Sequence, residues 1–304
     1  MKRPTVLIVG AGNVGLRLIA LLRRKFRVFA TTSTPKRRAQ IKRAGANPLV
    51  LNLDRSRARK VLRTKRYNAV VHLAPPNTGP LSTTRDQRTR TLVRSILTER
   101  FGAFPFVFAY VSTSGVYGDC AGQWVSESRP TQPYNARAKR RVDAERVLMK
   151  AAKRRGWRTV VLRAPGIYDA EHLPIERLRK RLPAIVAHED SYTNHIHADD
   201  LARMCAAALG TRHHIRIYNA NDDSALLMGD WFDLVADTFG LERPPRVSRA
   251  QAQQGVSPML WSFMRESRRL SNARIKRELR VRLQWPTVED FLRTVAQQKR
   301  RDAE

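Results

Sequence analysis

Cysteine is scarce in this sequence of 304 residues, and long apolar runs are missing from it. Two cysteines, Cys120 and Cys205, cannot form the framework of a disulfide-rich secreted domain, and neither has the neighbours of a zinc site. No apolar run approaches the ~20 residues that a membrane-spanning helix needs. A strand pattern begins directly at the N-terminus and leaves no room for a signal peptide, so a cytoplasmic location is the default expectation.

Acidic residues are also few. The 26 aspartates and glutamates are set against 58 lysines and arginines, which gives a formal net charge of +32. Such a chain attracts polyanions, so nucleic acid is one candidate partner. The basic runs fall mostly on predicted solvated helix faces, however, and no aromatic residues interleave with them as a base-stacking surface requires. We therefore favour a generally basic surface over a dedicated nucleic-acid site.

The most informative stretch lies near the N-terminus and reads TVLIVGAGNVGLRLIALL. An apolar run is followed by three spaced glycines and then by a helical pattern. Gly10 permits a tight turn, Gly12 lets the backbone approach a pyrophosphate, and Gly15 lets the helix pack closely on the strand. Asn13 and Val14 then lie at the start of the helix, where free N–H groups attract an anion. The pattern predicts a strand, a turn and a helix that bind a dinucleotide.

Strand and helix patterns alternate along the following residues. Apolar runs predict strands at 27–32, 49–54, 68–74, 106–112, 159–163 and 215–219, and helices are predicted at 35–44, 83–101 and 133–155. This alternation predicts an α/β fold with a Rossmann-type, doubly wound parallel sheet that is covered on both faces. The ligand is then expected at the carboxyl ends of the strands.

The residues after the second strand favour NADP(H) over NAD(H). NAD-preferring sites carry an acidic residue near this point, which accepts hydrogen bonds from the ribose hydroxyls. Here Thr32 and Ser33 are followed by Lys36 and Arg37, groups that would attract a 2′-phosphate. The alternative is that the basic residues only decorate the first turn of a helix.

Several motifs, in this order and spacing, resemble those of the extended short-chain dehydrogenase/reductase superfamily. They are the glycine motif, VHLA at 71–74, VSTSGVYG at 111–118, LRAPGIY at 162–168 and NHIHADDL at 194–201. The stretch at 269–287 also resembles the C-terminal signature of proteins similar to NAD-dependent epimerases and dehydratases.

The resemblance implies a domain organisation. A dinucleotide-binding domain would span 1–164 and also receive segments from about 194–220, and a smaller C-terminal substrate lobe would be built from 165–193 and 221–304. Members of the superfamily often dimerise through helices beside the active site, so a homodimer is one expected assembly.

The resemblance also implies site residues. Thr113 aligns with the hydroxyl residue that hydrogen-bonds the substrate oxygen undergoing hydride chemistry. The implied cofactor contacts are Asn52 and Leu53 at the adenine, Leu73, Ala74 and Pro75 along the ribose, and Pro165 at the nicotinamide.

The chain departs from the family at the Tyr-x-x-x-Lys motif of active members, in which the tyrosine exchanges a proton near neutral pH. Tyr134 and Lys139 are five residues apart, about 140° around a regular helix, so they do not share a face. Two alignments remain open. One pairs Asn135 with Lys139; the other, which we favour because it needs no gap, pairs Arg137 with Arg141.

Neither alignment supplies a tyrosine. Arg141 could hold the nicotinamide ribose, but Arg137 is permanently protonated and cannot exchange a proton at neutral pH. Tyr134 would reach the site only if the helix began late. The loss of the tyrosine with the glycine motif kept resembles the atypical branch of the superfamily.

Two functions follow from these patterns. The first is an NADP(H)-dependent epimerase/dehydratase-like protein or oxidoreductase that acts on a small, anionic substrate, with Thr113 polarising a substrate oxygen and Tyr134, Tyr117 or water supplying the acid. The alternative is a non-catalytic dinucleotide-binding protein with a structural, regulatory or RNA/DNA-binding role.

For two sets of side chains in the second half of the sequence, we favour a structural role over a functional one. His195, His197 and Asp199 alternate like metal ligands on a strand, but the family motif explains them as a structural joint, so we predict no metal site. The aromatic residues of this half are expected in the core of the lobe. They are Trp231, Phe232, Trp261, Phe263 and Trp285.

Overall fold

The computed structural model describes residues 3–55, 57–77, 84–100, 102–103 and 105–301. Seven parallel strands form the central sheet of this described part. They are β1 Thr5–Val9, β2 Arg27–Thr32, β3 Asn47–Val50, β4 Ala69–His72, β5 Val107–Thr113, β6 Arg158–Ala164 and β7 Ile215–Asn219. Their spatial order is β7-β6-β5-β4-β1-β2-β3. The order reverses between β1 and β4, the kind of switch point at which ligands bind in open parallel sheets.

Helices cover both faces of this sheet, which confirms the predicted fold class. The α-helices are α1 Asn13–Leu22, α2 Arg38–Ala44, α3 Arg57–Leu62, α4 Gln87–Ser95, α5 Ala136–Arg155, α6 Ile175–Arg179, α7 Ala198–Ala208, α8 Met228–Phe239, α9 Arg249–Gly255, α10 Pro258–Met264, α11 Ala273–Leu279 and α12 Val288–Arg301. Apolar side chains of α1, α2, α7 and α11 pack on one face of the sheet, and those of α3, α4 and α5 pack on the other. Among the described residues, every helix is too short or too polar to cross a membrane.

Some boundaries differ from the prediction. The third strand begins two residues earlier than predicted and ends at Val50, because the side-chain amide of Asn47 donates to the carbonyl of Val28 (3.1 Å) and a turn follows at Asn52. The helix predicted at 83–101 is confined to α4, which Asp86 caps by accepting from the N–H of Thr89 (3.1 Å). Residues 83 and 101 lie outside the described residues.

The C-terminal half adds a further apolar cluster beside the sheet. Tyr168, Trp231 and Phe291 pack together between α8 and α12. Four parallel pairs of short strands join Gly166–Tyr168 to His195–His197, Ala184–Ile185 to Arg246–Val247, Trp124–Val125 to Arg269–Leu270 and Arg66–Tyr67 to Leu97–Thr98, and one antiparallel pair joins Tyr192–Thr193 to Leu226–Leu227. Short 3₁₀ turns occur at Pro35–Arg37, Ser114–Tyr117 and Ala187–Glu189. The exact division into two domains stays a prediction.

Candidate functional site

A cleft of about 630 Å³ lies at the carboxyl ends of β1, β2, β3 and β4, and we call it the glycine cleft. Most of the residues predicted to hold a dinucleotide line it. They are Gly10, Gly12, Asn13, Val14, Gly15, Thr32, Ser33, Arg37, Asn52, Leu53, Leu73, Ala74 and Pro75. Lys36 is exposed and is not among the described residues that line the cleft.

The backbone conformation and the free space differ among the three glycines of the motif. Gly10 has a φ of +100°, and a Cβ there would lie 2.9 Å from the backbone nitrogen of Ala74. A Cβ on Gly15 would lie 2.4 Å from the carbonyl oxygen of Gly10. A Cβ on Gly12 would meet no described atom within 4 Å. Packing therefore explains Gly10 and Gly15, whereas Gly12 leaves open space on the wall of the cleft.

The turn before α1 presents unused donors to the cleft. The side-chain oxygen of Thr31 accepts from the N–H of Gly10 (2.9 Å), and its carbonyl accepts from the N–H of Ala11 (2.9 Å). The N–H groups of the first turn of α1 have no intrahelical partners, and no acidic residue lies in that turn. The positive end of the helix dipole therefore faces the cleft, and no acidic side chain in the first turn of α1 neutralises it.

The far end of the glycine cleft is braced by an arginine that sequence reasoning missed. Arg88 of α4 holds both carboxylate oxygens of Asp54 (2.9 and 2.6 Å) and donates to the carbonyl of Pro75 (2.7 Å). It thereby ties the loop after β3 to the loop after β4. Asn52 uses its side-chain oxygen to accept from the N–H of Asp54 (2.9 Å), which leaves its NH₂ group to donate to a ligand.

A second cavity, of about 300 Å³, lies at the carboxyl ends of β5 and β6, and we call it the threonine cavity. Thr113 and Pro165 line it, as does Arg141. Gly166 lines the threonine cavity while the next residue, Ile167, lines the glycine cleft. The two spaces therefore lie side by side along one edge of the sheet.

Helix α5 forms one wall of the threonine cavity. Asn135 caps the helix by accepting from the N–H of Ala138 (2.9 Å), and Arg137 and Arg141 line the cavity. Arg141 donates to the carbonyl of Val111 (2.9 Å), which anchors its guanidinium against β5. Lys139 is exposed. Asn135 lines the cavity as well, so both alignments contribute a lining residue and the choice between them stays a prediction.

Comparison with known proteins now identifies the family. The model of the NAD-dependent epimerase/dehydratase family matches residues 6–220. The chain belongs to this family. A comparison with curated proteins gave no match.

Several solved structures share the fold of this chain. A conserved protein of unknown function from Silicibacter pomeroyi is 27% identical, with 97% of this chain and 99% of that chain covered and a TM-score of 0.76. UDP-glucose 4-epimerase from Thermotoga maritima is 16% identical, with coverages of 99% and 100% and a TM-score of 0.76. UDP-glucuronic acid 4-epimerase from Bacillus cereus, solved with UDP-glucuronic acid and NAD, is 18% identical, with coverages of 98% and 99% and a TM-score of 0.72.

In this epimerase/dehydratase-family protein, Tyr134 and Tyr117 are not among the described residues that line the threonine cavity. Tyr134 precedes the cap of α5, is 58% exposed and has the guanidinium of Arg265 4.0 Å from its ring centre. Tyr117 is buried, and its hydroxyl donates to the side-chain oxygen of Asn219 (2.7 Å). Burial also raises the pKa of Tyr117.

Sequence reasoning missed the two residues of this cavity that can exchange a proton. The described residues lining it include one carboxyl group, that of Glu266, and one tyrosine, Tyr192. The side chain of Glu266 is 4% exposed, and one of its oxygens pairs with Arg268 (2.9 Å). Its other oxygen has no hydrogen-bond partner among the described residues. Because Glu266 is a lone acid in a basic segment far along the chain, no local pattern pointed to it.

The charges of the threonine cavity are mostly positive. Arg137, Arg141 and Arg268 line it, against the single carboxylate of Glu266. Burial and the neighbouring Arg141 lower the pKa of Arg137 and outweigh the opposing effect of Glu266. A bound anion would find three cations within this small space.

Aromatic side chains interleave with arginines at the rim of the threonine cavity, contrary to the sequence-based prediction. The guanidinium of Arg137 lies 4.2 Å from the ring centre of Phe263, and that of Arg269 lies 4.6 Å from the ring centre of Tyr192. Phe263, predicted to lie in the core, is 45% exposed. The prediction was wrong because these partners are far apart in the sequence and meet only in the fold.

The paired histidines of the joint lie among aromatic rings. His195 is 4.6 Å from the ring centre of Trp231, and His197 is 4.8 Å from that of Phe291. Burial lowers the pKa of His195 to about 3. In the part of the chain that the structure describes, no group of three or more His, Cys, Asp or Glu side chains is arranged to hold a metal ion.

Proposed function

We propose that this protein binds a nicotinamide dinucleotide in the glycine cleft, with NADP(H) preferred over NAD(H), and acts as an epimerase-like enzyme or oxidoreductase on a small anionic substrate. The observation that carries the proposal is the open wall at Gly12, which borders N–H groups without intrahelical partners in a cleft that lies beside the cavity of Thr113. The fold by itself does not imply this chemistry; the arrangement of these residues supports it.

The residues present fit such a cofactor. The first turn of α1 would donate to the pyrophosphate, and the polar wall of Thr32, Ser33 and Arg37 would receive a 2′-phosphate. The bound cofactor would supply or accept a hydride at its nicotinamide ring. Pro165 and Thr113 border the neighbouring cavity, so the ring would lie beside them.

The threonine cavity would hold the substrate. Its three arginines favour an anion, and nucleotide sugars are the first class to test, because solved structures of similar fold contain UDP-sugars. Thr113 would donate to the substrate oxygen, and Glu266 would exchange the proton that the family's tyrosine exchanges in active members. One oxygen of Glu266 is buried without a hydrogen-bond partner among the described residues, which supports this role.

The test is single-turnover spectroscopy at 340 nm. Purified protein loaded with NADPH or NADP⁺ is mixed with UDP-sugars, their 4-keto derivatives and small carbonyl acids, and the change in reduced cofactor is followed. We expect one compound class to oxidise or reduce the bound cofactor. Tight cofactor binding without any change across the panel would count against an enzyme.

A second candidate function is favoured by the interleaved arginines and aromatics at the rim. A surface of this kind can stack unpaired bases and neutralise phosphates. If the protein binds single-stranded RNA or DNA, its affinity should fall by orders of magnitude between low and moderate salt. Undetectable binding of a fluorescent oligonucleotide at low salt would remove this candidate.

A further inference from the structure

His172 joins the glycine cleft from outside the glycine motif. It lies in the segment after Gly166–Tyr168, about 160 residues from α1 in the sequence, yet it lines the same cleft as Gly12 and Asn13. Its side chain is 53% exposed, so a bound ligand can reach it.

One ring nitrogen of His172 is anchored, and the other is not. The Nδ1 atom lies 2.6 Å from Oδ1 of Asp169 and 3.2 Å from the side-chain nitrogen of Asn13. Asn13 in turn donates to Oδ2 of Asp169 (2.5 Å) and accepts from Arg17 (2.8 Å). No hydrogen bond to Nε2 of His172 is formed by any described residue. Because Nδ1 faces a carboxylate, the ring is held with Nδ1–H as donor and with Nε2 available to a ligand.

The carboxylate of Asp169 does not line the cleft, whereas the imidazole of His172 does. The side chain of Asp169 is 5% exposed, and Asp169 is not among the described residues that line the cleft. Burial acts to raise the pKa of Asp169, but hydrogen bonds from Asn13, His172 and Arg17 outweigh it and lower the pKa below its usual range. The carboxylate therefore stays ionised and can stabilise an imidazolium beside the start of α1.

We propose that His172 is a ligand of the dinucleotide pyrophosphate, donating from Nε2 as an imidazolium that Asp169 holds in place. This inference rests on the proposed dinucleotide site and adds to it a residue from outside the glycine motif. With Nδ1–H donated to Asp169, Nε2 can donate to a phosphate oxygen only after the ring takes up a second proton. Binding is thus coupled to protonation of His172, and affinity falls as pH rises.

The other charged groups near His172 do not reproduce this dependence. Burial lowers the pKa of His197 to about 4 and outweighs the opposing effect of Asp199, so His197 stays neutral near pH 7. Arg17 stays charged, and Asp169 stays ionised. The charged and titratable groups that face this neighbourhood are Arg17 on α1, Asp169 and Glu171 on the same segment, and His197 and Asp199 before and within α7.

The experiment measures dinucleotide affinity by calorimetry. NAD⁺ is titrated into the full-length protein at pH 6, 7 and 8, because it lacks the 2′-phosphate that would itself titrate in this range. We expect the Kd of the wild type to rise roughly fivefold to tenfold from pH 6 to pH 8, the size expected for one half-exposed charged hydrogen bond. At all three pH values, His172→Gln should bind NAD⁺ with the Kd that the wild type has at pH 8. His172→Arg should bind NAD⁺ tightly, and its Kd should change by less than twofold from pH 6 to pH 8.

Two controls isolate the pyrophosphate. His188→Gln removes a histidine that is 80% exposed and is not among the described residues lining the cleft, and it should keep the wild-type profile. At pH 7, His172→Gln should weaken NADP⁺ but leave the affinity for adenosine 2′-phosphate, which lacks a pyrophosphate, unchanged. An equal loss for both ligands, or equal Kd values for wild type and His172→Gln at pH 6, would overturn the assignment of His172. Failure of the wild type to bind any dinucleotide would overturn the proposed function, and this inference with it.

Discussion

Replacing Gly12 by alanine separates binding from folding, because the two have different requirements at this residue. Gly12 has φ −76° and ψ −158°, a conformation that alanine adopts, and an added Cβ meets no described atom within 4 Å. The weaker helix cap that alanine provides is offset by its smaller unfolded-state entropy, so stability should change by less than about 1 kcal/mol.

The same methyl group would occupy the space next to the N–H groups that the pyrophosphate needs. Losing one or two hydrogen bonds to a charged phosphate costs about 2–4 kcal/mol in total, which raises the Kd roughly 30-fold to 1,000-fold. The assay is calorimetric titration of NADP⁺ together with thermal unfolding. Gly210→Ala is the matched control, since its Cβ would lie 3.5 Å from the carbonyl of Ala207, an ordinary contact.

Gly15→Ala supplies the contrast. Its Cβ would lie 2.4 Å from the carbonyl oxygen of Gly10, so this variant should lose stability as well as binding. If Gly12→Ala binds NADP⁺ as tightly as the wild type, the cleft does not hold a pyrophosphate at this turn.

Three further predictions concern buried charge and the threonine cavity. Glu145→Ala should lower the free energy of unfolding in urea by about 3–5 kcal/mol, because it leaves the buried guanidinium of Arg163 unpaired; a loss below about 1 kcal/mol would contradict this. Burial lowers the pKa of both His72 and His195 to about 3. Between the usual histidine pKa and pH 3, the unfolded chain therefore binds more protons than the folded protein, so the stability should fall as the pH falls through this range. His195→Phe should reduce that slope in denaturation curves measured from pH 7 to pH 4, and an unchanged slope would speak against the cause. Glu266→Gln should abolish turnover of any substrate found in the panel while the Kd for NADP⁺ stays within twofold; full activity would remove Glu266 from the chemistry.

Local patterns in the sequence were sufficient for most of the sheet. Apolar runs between helical patterns predicted the strands, and the second and seventh strands have the predicted bounds. The third strand was misplaced because its start depends on Asn47 bonding across to the neighbouring strand, an interaction between residues about twenty positions apart. Patterns of side-chain burial carry no information on such contacts.

The site was predictable only where its residues are near one another in the sequence. The glycine motif contains the turn, the backbone expected to approach the pyrophosphate and the start of the helix within six residues. Its spacing alone therefore indicated the cleft. His172 and Glu266 reach the same edge of the sheet from distant segments, and neither belongs to a repeating pattern. Lys36 and Tyr134 have the right chemistry at nearby positions, but their side chains are exposed and line neither the cleft nor the cavity among the described residues.

A crystal structure with bound NADP⁺ tests the central claim most directly. We expect pyrophosphate oxygens within hydrogen-bond distance of the N–H groups at the start of α1, with the nicotinamide ring beside Thr113 in the threonine cavity. A dinucleotide bound elsewhere, or one whose nicotinamide points away from Thr113, would contradict it.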